Sequence, residues 1–360
     1  MKKLVIIQTV TPDYRAGVFK VIREALTSSR FELYRGKEYF EKSVKTDQRI
    51  EAKEAKNIYL LKRTLLFQIG IWHLLFKKAV LVLEMNPRIL SNWIFLIVRR
   101  LTGRETVLWG HAWPRSGKGS KSDWVRNVMR TCASSIIVYT KQQQKELSVY
   151  MPQKTIYAAP NAILHKKDIL VKATSLPPKH LIYVGRLSEA KKPLFLVRAF
   201  KESLDILPEE AKLIMVGEGE QMSGIQRFIK DHHLEDRILL KGHINDYEQL
   251  KSLYNSSIFS VSPGYVGLSI TQSFGFGVPM LISKEEPHSP EIEAVNEGKN
   301  AIYYETDDII RFRESVKNIY SDTSKWIDKR TEIALYCKEN YSVESMATTF
   351  INLVNTENLS

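Results

Sequence analysis

The strongest constraint on the fold is the alternation of short apolar runs with helical patterns along almost the whole chain. Uninterrupted apolar runs are typical of parallel strands that are covered on both faces of a sheet. In the first half they fall at residues 4–8, 31–34, 58–61, 80–83, 106–109, 135–139 and 155–157. In the second half they fall at residues 181–184, 213–216, 238–240, 258–261, 280–282 and 301–303. Two such sets predict an α/β protein with two doubly wound, Rossmann-like domains.

The length and one polar stretch predict where these domains end. A chain of 360 residues is long for a single hydrophobic core. Residues 161–179 are polar, lack periodicity and contain Pro177-Pro178, which is typical of a linker. We therefore predict a first domain over 1–165 and a second over 166–340, whose tail includes a helix at 325–340. A final helix within 341–360, with Ser342 as its N-cap, is expected to pack back on the first domain.

The charge is distributed unevenly between the halves. Residues 1–160 carry 29 Lys and Arg against 12 Asp and Glu, whereas residues 161–360 carry 24 against 28. This asymmetry indicates an anionic partner for the first half, such as a membrane surface or a phosphorylated lipid, unless the basic face is simply solvated. A nucleic-acid partner is not expected, because no basic motif with interleaved aromatic residues is present.

The cysteines and the hydropathy pattern bear on the compartment. Cys132 and Cys337 are too few for a disulfide framework, which favours a reducing cytoplasm. The apolar run at residues 4–7 ends at Gln8 without a cleavage site, so it predicts a first strand and not a signal peptide. Residues 89–98 are apolar but too few to cross a bilayer. We expect a cytoplasmic protein that is peripheral at the inner face of the membrane.

A strand that runs into a basic turn marks the first candidate site. The sequence after the strand at 181–184 is Gly185-Arg186-Leu187-Ser188-Glu189-Ala190-Lys191-Lys192-Pro193. Pro193 is suited to the first helical position, so Arg186 and Lys191 lie in a strand-to-helix loop. In open α/β sheets such loops at the carboxyl edge bind ligands. By itself the motif fits two ordinary surface cations equally well.

A second small-residue turn follows about eighty residues later. After the strand at 258–261 the chain reads Ser262-Pro263-Gly264-Tyr265-Val266-Gly267-Leu268-Ser269 and then enters a helix. The amides of Gly267, Leu268 and Ser269 would be free at the helix start. Fixed cations and free helix amides can hold one diphosphate together. The two turns together indicate a site for a nucleotide sugar.

These segments resemble a known family. The stretch Tyr183-Val184-Gly185-Arg186-Leu187-Ser188-Glu189-Ala190-Lys191 is similar to the VGRL…K segment of retaining glycosyltransferases with the GT-B fold, the large family four or group 1. Val216-Gly217-Glu218-Gly219, Lys241-Gly242-His243 and Gly277-Val278-Pro279 are similar to further segments of that family. The resemblance covers residues 180–305 most closely. It implies two domains with a cleft between them.

The resemblance also implies roles for individual residues. Arg186 and Lys191 would hold the donor diphosphate, together with the amides of Gly267, Leu268 and Ser269. His111 would lie across the interdomain cleft, near the donor sugar and the acceptor, although a packed histidine at a strand end is the alternative. The turns that would line the donor are at Gly185, Gly217, Gly242 and His243.

The sequence departs from the family at two positions. The family carries two glutamates eight residues apart, where this chain has Gly264 and Gln272. Gln272 can still hydrogen-bond ribose hydroxyls, but Gly264 offers no side chain to the sugar. Glu291 would lie near the cleft, or it would only complement a helix N-terminus.

Nothing in the sequence indicates a metal or another cofactor. No Asp-x-Asp pair occurs, and no His, Cys and carboxylate cluster has metal-ligand spacing. Arg, Lys and helix amides would therefore neutralise the diphosphate instead of a metal ion.

The predicted function is transfer of a sugar from a nucleoside diphosphate sugar to a hydroxyl acceptor. The resemblance implies retention of configuration and a bacterial surface-polysaccharide role, with a lipid-linked saccharide as the acceptor. Two alternatives stay open: a nucleotide-sugar epimerase or hydrolase on the same fold, and a non-catalytic binding subunit.

Overall fold

The computed structural model describes residues 2–41, 45–114, 116–169 and 177–355. The chain forms two compact units, the first from Met1–Ile163 with Ser342–Ser360 and the second from Leu164–Tyr341. The sequence predicts boundaries at 165 and 340, so the observed boundaries lie within two residues of them. Residues 170–176 of the predicted linker and the last five residues of the predicted terminal segment lie outside the described residues.

The first unit is built on a parallel sheet. Its elements in chain order are β1 (Leu4–Gln8), α1 (Ala16–Arg30), β2 (Phe31–Arg35), β3 (Lys53–Glu54), β4 (Lys56–Leu60), β5 (Leu65–Ile69), β6 (Val80–Glu84), α2 (Leu90–Leu101), β7 (Thr106–Trp109), α3 (Lys121–Cys132), β8 (Ser135–Val138), α4 (Lys141–Tyr150) and β9 (Thr155–Ala158). Over the described residues the strand order is β3-β2-β1-β6-β7-β8-β9. All neighbours in this sheet are parallel.

The strand predicted at 58–61 differs from this pattern. In the structure β4 pairs antiparallel with β5 in a separate hairpin, with Lys56 opposite Ile69 and Leu60 opposite Leu65. The turn between them has positive φ angles at Leu61, Lys62 and Arg63. A turn this short can join only antiparallel strands, whereas a parallel pair needs a long crossover connection. The prediction of a strand in the main parallel sheet was wrong here.

The second unit repeats the same architecture. Its elements are β10 (His180–Val184), α5 (Pro193–Lys201), β11 (Leu213–Val216), α6 (Met222–Asp231), β12 (Ile238–Leu240), α7 (Tyr247–Asn255), β13 (Ser257–Ser262), α8 (Ser269–Gly275), β14 (Met280–Ser283), β15 (Ala301–Tyr304), α9 (Ile309–Ser321), α10 (Thr323–Asp328) and α11 (Arg330–Asn340). Within the described residues its strands are ordered β12-β11-β10-β13-β14-β15, and all neighbours are parallel. This is the order of the doubly wound dinucleotide-binding fold.

The helix predicted over 325–340 is divided into α10 and α11. The break brings Arg330 inward, where its guanidinium donates to the carbonyls of Ser257 and Tyr254, each at 3.1 Å. Burial lowers the pKa of Arg330 to about 10. The side chain therefore gives buried strand and helix-end carbonyls a charged hydrogen-bond donor.

The last helix, α12 (Val343–Asn355), belongs to the first unit. The hydroxyl of Ser342 accepts a hydrogen bond from the Ser345 amide at 3.2 Å, which confirms it as the N-cap. The ring of Phe350 meets Trp109 edge-on, with 4.7 Å between the centroids. The helix therefore covers the same face of the first sheet as α1.

Both sheets are buried on their two faces, as the apolar strands predict. In the first unit α1 and α12 cover one face, while α2, α3 and α4 cover the other. In the second unit α5, α6, α9 and α10 lie on one face, and α7, α8 and α11 on the other. Each fully buried Leu, Ile or Phe side chain contributes about 1.5–3 kcal/mol.

The topology of the second sheet defines a switch point. Strand β10 lies between β11 and β13. The chain leaves β10 toward β11, but it leaves β13 toward β14 on the opposite side. The loops after β10 and β13 therefore diverge and leave a crevice at the carboxyl edge. Ligands of open α/β sheets bind in such a crevice.

Candidate functional site

The loop after β10 is fixed by its own backbone and by the loop after β11. The Leu187 amide donates to the Glu218 carbonyl at 2.9 Å, and the Gln221 amide donates to the Leu187 carbonyl at 3.0 Å. The hydroxyl of Tyr183 donates to the Arg186 carbonyl at 2.6 Å. The backbone of Arg186 is thereby held while its side chain is exposed to solvent.

Lys191 lies at the end of a short 3₁₀ helix, Glu189–Lys191, in the same loop. Its ammonium lies 4.8 Å from the centroid of the Tyr265 ring. Partial burial, and secondarily the nearby Arg186, lowers the pKa of Lys191 to about 8, although the Glu291 carboxylate opposes this change. Two cations are thus held close together, one of them partly desolvated, which is unfavourable unless an anion joins them.

The neighbouring Lys192 differs from Arg186 and Lys191 because carboxylates neutralise its charge. Its ammonium forms ion pairs with Glu286 and Asp307, each at 2.6 Å. Arg186 and Lys191, in comparison, form no ion pair with any residue in the described ranges. Lys192 therefore supports the local structure, whereas the charges of Arg186 and Lys191 remain available to a ligand.

Three of the glycines predicted to line the donor meet at this edge. The Gly185 amide donates to the Val216 carbonyl at 3.0 Å, and the Gly217 amide donates to the Gly242 carbonyl at 2.7 Å. Gly217 has a φ of 138°, and a Cβ there would lie 1.9 Å from the Gly185 oxygen. Only glycine allows this approach. His243, next to Gly242, is exposed.

The loop after β13 contacts the basic loop directly. The Tyr265 amide donates to the Ala190 carbonyl at 2.9 Å. A Cβ on Gly264 would lie 2.6 Å from that same oxygen and 2.9 Å from the Lys191 carbonyl carbon. The position at which the family carries its first glutamate therefore has no room for any side chain in this structure. The space is filled by the backbone that presents Lys191.

Helix α8 begins at Ser269, at the turn where the sequence predicts a helix start. The carbonyls of Gly267 and Leu268 accept the first helical bonds, from Ile270 and Gln272, both at 3.0 Å. The amides of Gly267, Leu268 and Ser269 donate to no residue in the described part of the chain. They lie at the same carboxyl edge of the sheet as the loop after β10, because β13 and β10 are adjacent. Together they are suited to bind an anion.

The side chain of Gln272 lies next to a buried tyrosine, Tyr254. The Tyr254 hydroxyl lies 3.5 Å from the Gln272 Oε1, which is the outer limit for a hydrogen bond. The Tyr254 ring is fully buried and stacks on Phe276 at 4.8 Å. The Gln272 side chain is thus half-buried next to the core of the unit.

Glu291 lies in a 3₁₀ helix, Pro290–Ala294, and only 7% of its surface is exposed. It accepts a hydrogen bond from the Ser289 hydroxyl. The negative charge of its carboxylate opposes the lowering of the pKa of Lys191. The carboxylate therefore belongs to the same cluster.

His288 fixes the loop before α8, a role that the sequence does not predict. Its Nε2–H donates to the Ser283 carbonyl at 2.9 Å, and its Nδ1 accepts from the Val266 amide at 3.3 Å. Burial, with a further effect of Lys191, lowers its pKa, so the neutral ring fixes the loop before α8. A signal was present in the sequence, because His288 lies three residues before Glu291.

Comparison with known proteins agrees with this geometry. Residues 166–340 match the family model of glycosyl transferases group 1. The second unit, which these residues make up almost completely, therefore belongs to this family. The fold of the whole chain is GT-B, because solved GT-B structures superpose over nearly its whole length. The Anabaena protein HepE, solved in complex with UDP, is 14% identical with a TM-score of 0.70, covering 99% of this chain and 100% of that one. The lipopolysaccharide outer core galactosyltransferase WaaB is 15% identical with a TM-score of 0.67, covering 98% and 99%.

Curated relatives match over shorter stretches. Poly(glycerol-phosphate) alpha-glucosyltransferase of Bacillus subtilis is 23% identical over 212 residues, which are 58% of this chain and 30% of that protein. The GtfA subunit of a peptide N-acetylglucosaminyltransferase of Streptococcus pneumoniae is 32% identical over 104 residues, or 29% and 20%. The matched part thus spans less than a third of either relative.

His111 lies in the first unit, outside the residues that match the family model, after the end of β7. It is exposed, and its ring centroid is 4.7 Å from that of Tyr139. The His111 carbonyl accepts from Arg126 Nη1 at 2.7 Å. A Cβ on the preceding Gly110 would lie 2.9 Å from the Met85 Cβ, so the strand end packs tightly. The predicted role of His111 toward the acceptor stays a prediction.

Metal-binding clusters and membrane-spanning helices are both absent from the described residues. Among these residues, no group of three or more His, Cys, Asp or Glu is arranged to hold a metal ion. None of the helices in the described ranges is both long enough and apolar enough to cross a bilayer.

Proposed function

We propose that this protein transfers a sugar from a nucleoside diphosphate sugar to a hydroxyl group of an acceptor. The observation that carries the proposal is the pair Arg186 and Lys191, which form no ion pair with a described residue and lie near the start of α8. A diphosphate supplies the missing negative charge and accepts hydrogen bonds from both cations. The match of the second unit to the group 1 glycosyl transferases supports the same ligand.

In the proposed reaction the diphosphate is the leaving group. As the bond to the sugar breaks, negative charge grows on the diphosphate oxygens, and Arg186 and Lys191 stabilise it. Both charges are held before the reaction by a fixed backbone, so little reorganisation is needed. We propose that they act in place of a metal ion and that no other cofactor takes part. Gln272 would hydrogen-bond the ribose, and Glu291 would stay close to Lys191.

We further propose that the anomeric configuration is retained and that the acceptor is a lipid-linked saccharide in surface-polysaccharide assembly. The excess of basic residues in 1–160 supports an anionic acceptor or membrane surface. The names of two similar proteins, one acting on poly(glycerol-phosphate) and one on lipopolysaccharide outer core, support this acceptor class. His111 would contact the acceptor. The free cysteines, Cys132 and Cys337, agree with action in the cytoplasm.

The test is a transfer assay with product analysis. The full chain is incubated with a panel of nucleoside diphosphate sugars, with and without lipid-linked saccharide acceptors, and the products are identified by mass spectrometry. We expect the free nucleoside diphosphate and the glycosylated acceptor to form together, only when the acceptor is present. Release of free sugar without an acceptor would identify a hydrolase, and an isomerised nucleotide sugar would identify an epimerase. Binding of a nucleotide sugar without any turnover would identify a non-catalytic subunit.

Two further measurements on the same product test the finer proposals. The anomeric coupling in the proton NMR spectrum of the product reports retention or inversion. Full activity in excess EDTA is expected if Arg186 and Lys191 neutralise the diphosphate without a metal. Loss of activity in EDTA, with recovery on adding a divalent ion, would overturn the metal-free proposal.

A further inference from the structure

One helix layer of the first unit carries apolar side chains on both of its sides. Helices α2, α3 and α4 cover the same face of the first sheet, since Phe95, Met129 and Leu147 belong to one buried cluster. A helix layer that covers a core normally turns polar residues outward. In α2 and α3 much of the outward side is apolar instead.

In α2 the outward stripe is formed by Ile94, Ile97 and Leu101. Their spacing is that of one helix face. Their exposed fractions are 39%, 49% and 81%. The opposite side of the helix is buried, with Phe95 and Leu96 fully enclosed. That side also buries the polar residues Ser91, Asn92 and Arg99. Helix α2 therefore has apolar side chains on its covered side and again on its exposed side.

In α3 a second stripe continues this surface. Trp124 is 70% exposed, and Val125 and Val128 are exposed beside it. Tryptophan is rarely this exposed on the surface of a soluble protein. It is enriched at interfaces, because most of its ring is apolar whereas its N–H is polar. Helices α2 and α3 are joined where Arg100 donates to the Thr131 carbonyl. We call these side chains the α2–α3 face: Ile94, Ile97, Leu101, Trp124, Val125 and Val128.

The charges around the α2–α3 face are positive. The two helices contain five Lys or Arg, of which Arg99 and Arg130 are buried, and one acidic residue, Asp123. That carboxylate is buried in an ion pair with Arg130 at 2.7 Å, so it does not reach the surface. Arg100 lies next to Leu101, and Lys121 is exposed one turn before Trp124 and Val125. On these two helices the exposed apolar side chains therefore lie beside exposed cations. Neither helix has an exposed carboxylate.

We propose that the α2–α3 face docks on an anionic lipid surface. Cations beside an apolar stripe complement anionic headgroups, and the stripe can enter the boundary between headgroups and acyl chains. Trp124 is suited to that boundary. The inference deepens the proposed function, since an acceptor carried by a lipid must be met at a membrane. Its test does not require sugar transfer, so the two proposals can fail separately.

The first experiment measures vesicle binding of the full chain by co-sedimentation. Vesicles of phosphatidylcholine alone are compared with vesicles that also contain phosphatidylglycerol, at low and high salt. We expect preference for the anionic vesicles, decreasing with salt because exposed charges are screened within about 8 Å at physiological ionic strength. Ile97→Asp and Leu101→Asp should each weaken binding about tenfold, since each removes an apolar contact and adds repulsion. Both positions are exposed, so the variants should fold like wild type.

Ile310→Asp is the matched control. Ile310 is 69% exposed near the start of α9, in the second unit, so the same chemical change is made away from the α2–α3 face. Unchanged binding of this variant is expected. Equal binding by all four proteins, or no binding to anionic vesicles by wild type, would overturn the proposal. If sugar transfer to a water-soluble acceptor persists in that case, the proposed function stands alone.

A second measurement examines Trp124 itself. Lipids with brominated acyl chains should quench part of the tryptophan fluorescence of wild type, and Trp124→Phe should lose most of that quenching. The oligomeric state is measured in parallel by sedimentation velocity. A stable dimer that Leu101→Asp converts to monomer would assign the α2–α3 face to a second copy of the chain and overturn docking on lipid.

Discussion

Arg186 and Lys191 have the same predicted partner but different surroundings. Arg186 is exposed at a fixed backbone position, whereas Lys191 is partly buried against Tyr265. The sequence predicts both cations and their loop, because a strand, a glycine and an N1 proline define it. It cannot predict the burial of Lys191, because Tyr265 and Glu291 come from segments 74 and 100 residues later.

Removing either cation should impair the reaction more than the fold. Arg186→Ala and Lys191→Ala should each lose about 2–4 kcal/mol of transition-state stabilisation, since each removes a charge that the departing diphosphate needs. Steady-state kinetics with the donor sugar nucleotide measure this as kcat/KM. Arg198→Ala, at an exposed cation on α5, is the control and should behave as wild type. Wild-type turnover in both site variants would disprove the assignment.

The lowered pKa of Lys191 predicts that donor use falls as pH rises above about 8. It also predicts that the contribution of Lys191 to the free energy of unfolding rises over the same range. The charged form is lost as pH rises through about 8, so kcat/KM for the donor should fall above that pH. Lys191→Arg should remove this fall, because Arg stays protonated. The folded-state pKa lies below the ordinary value of 10.5, so this residue makes the free energy of unfolding decrease as pH drops from 10.5 to 8. An unchanged donor profile in Lys191→Arg would exclude Lys191 as the titrating group.

At the scale of elements, the strands and turns follow from local sequence, whereas the contacts between loops do not. The parallel strands are predicted because their residues are apolar on both faces. The hairpin of β4 and β5 is missed because its turn lacks the usual Gly or Asn, although three residues adopt positive φ angles. The packing of Gly264 against Ala190 is also missed, since it joins two loops 74 residues apart.

This loop contact makes Gly264 a sensitive position. Gly264→Ala should displace the backbone at Ala190 and Lys191, because its Cβ would meet the Ala190 oxygen at 2.6 Å. We expect weaker donor binding and a lower melting temperature, measured by calorimetry and by thermal unfolding. Gly224→Ala on α6 is the matched control, since its Cβ would make ordinary contacts of 3.6 Å with Leu194. Donor affinity in Gly264→Ala equal to that of the control would show that the loop contact does not position Lys191.

At the scale of the whole molecule, the sequence predicts two doubly wound units because it contains two sets of apolar strands. The strand order puts the loops after β10 and β13 side by side at a switch point, and the candidate residues lie on those loops. The charge is also divided between the units, with the basic excess in residues 1–160 and the candidate donor-binding loops in the second unit. The exposed α2–α3 face could not be predicted, because an apolar helix has the same sequence whether it is covered or exposed.

The most direct test of the central claim is calorimetric binding of nucleotides to the full chain in the presence of EDTA. A panel of nucleoside diphosphates is titrated into wild type, the double variant Arg186→Ala/Lys191→Ala and the Arg198→Ala control. We predict one-to-one binding of at least one diphosphate, much weaker binding of the matching monophosphate, and loss of diphosphate binding only in the double variant. Equal affinity for monophosphate and diphosphate, or equal binding by the double variant, would contradict a diphosphate site at this edge of the sheet.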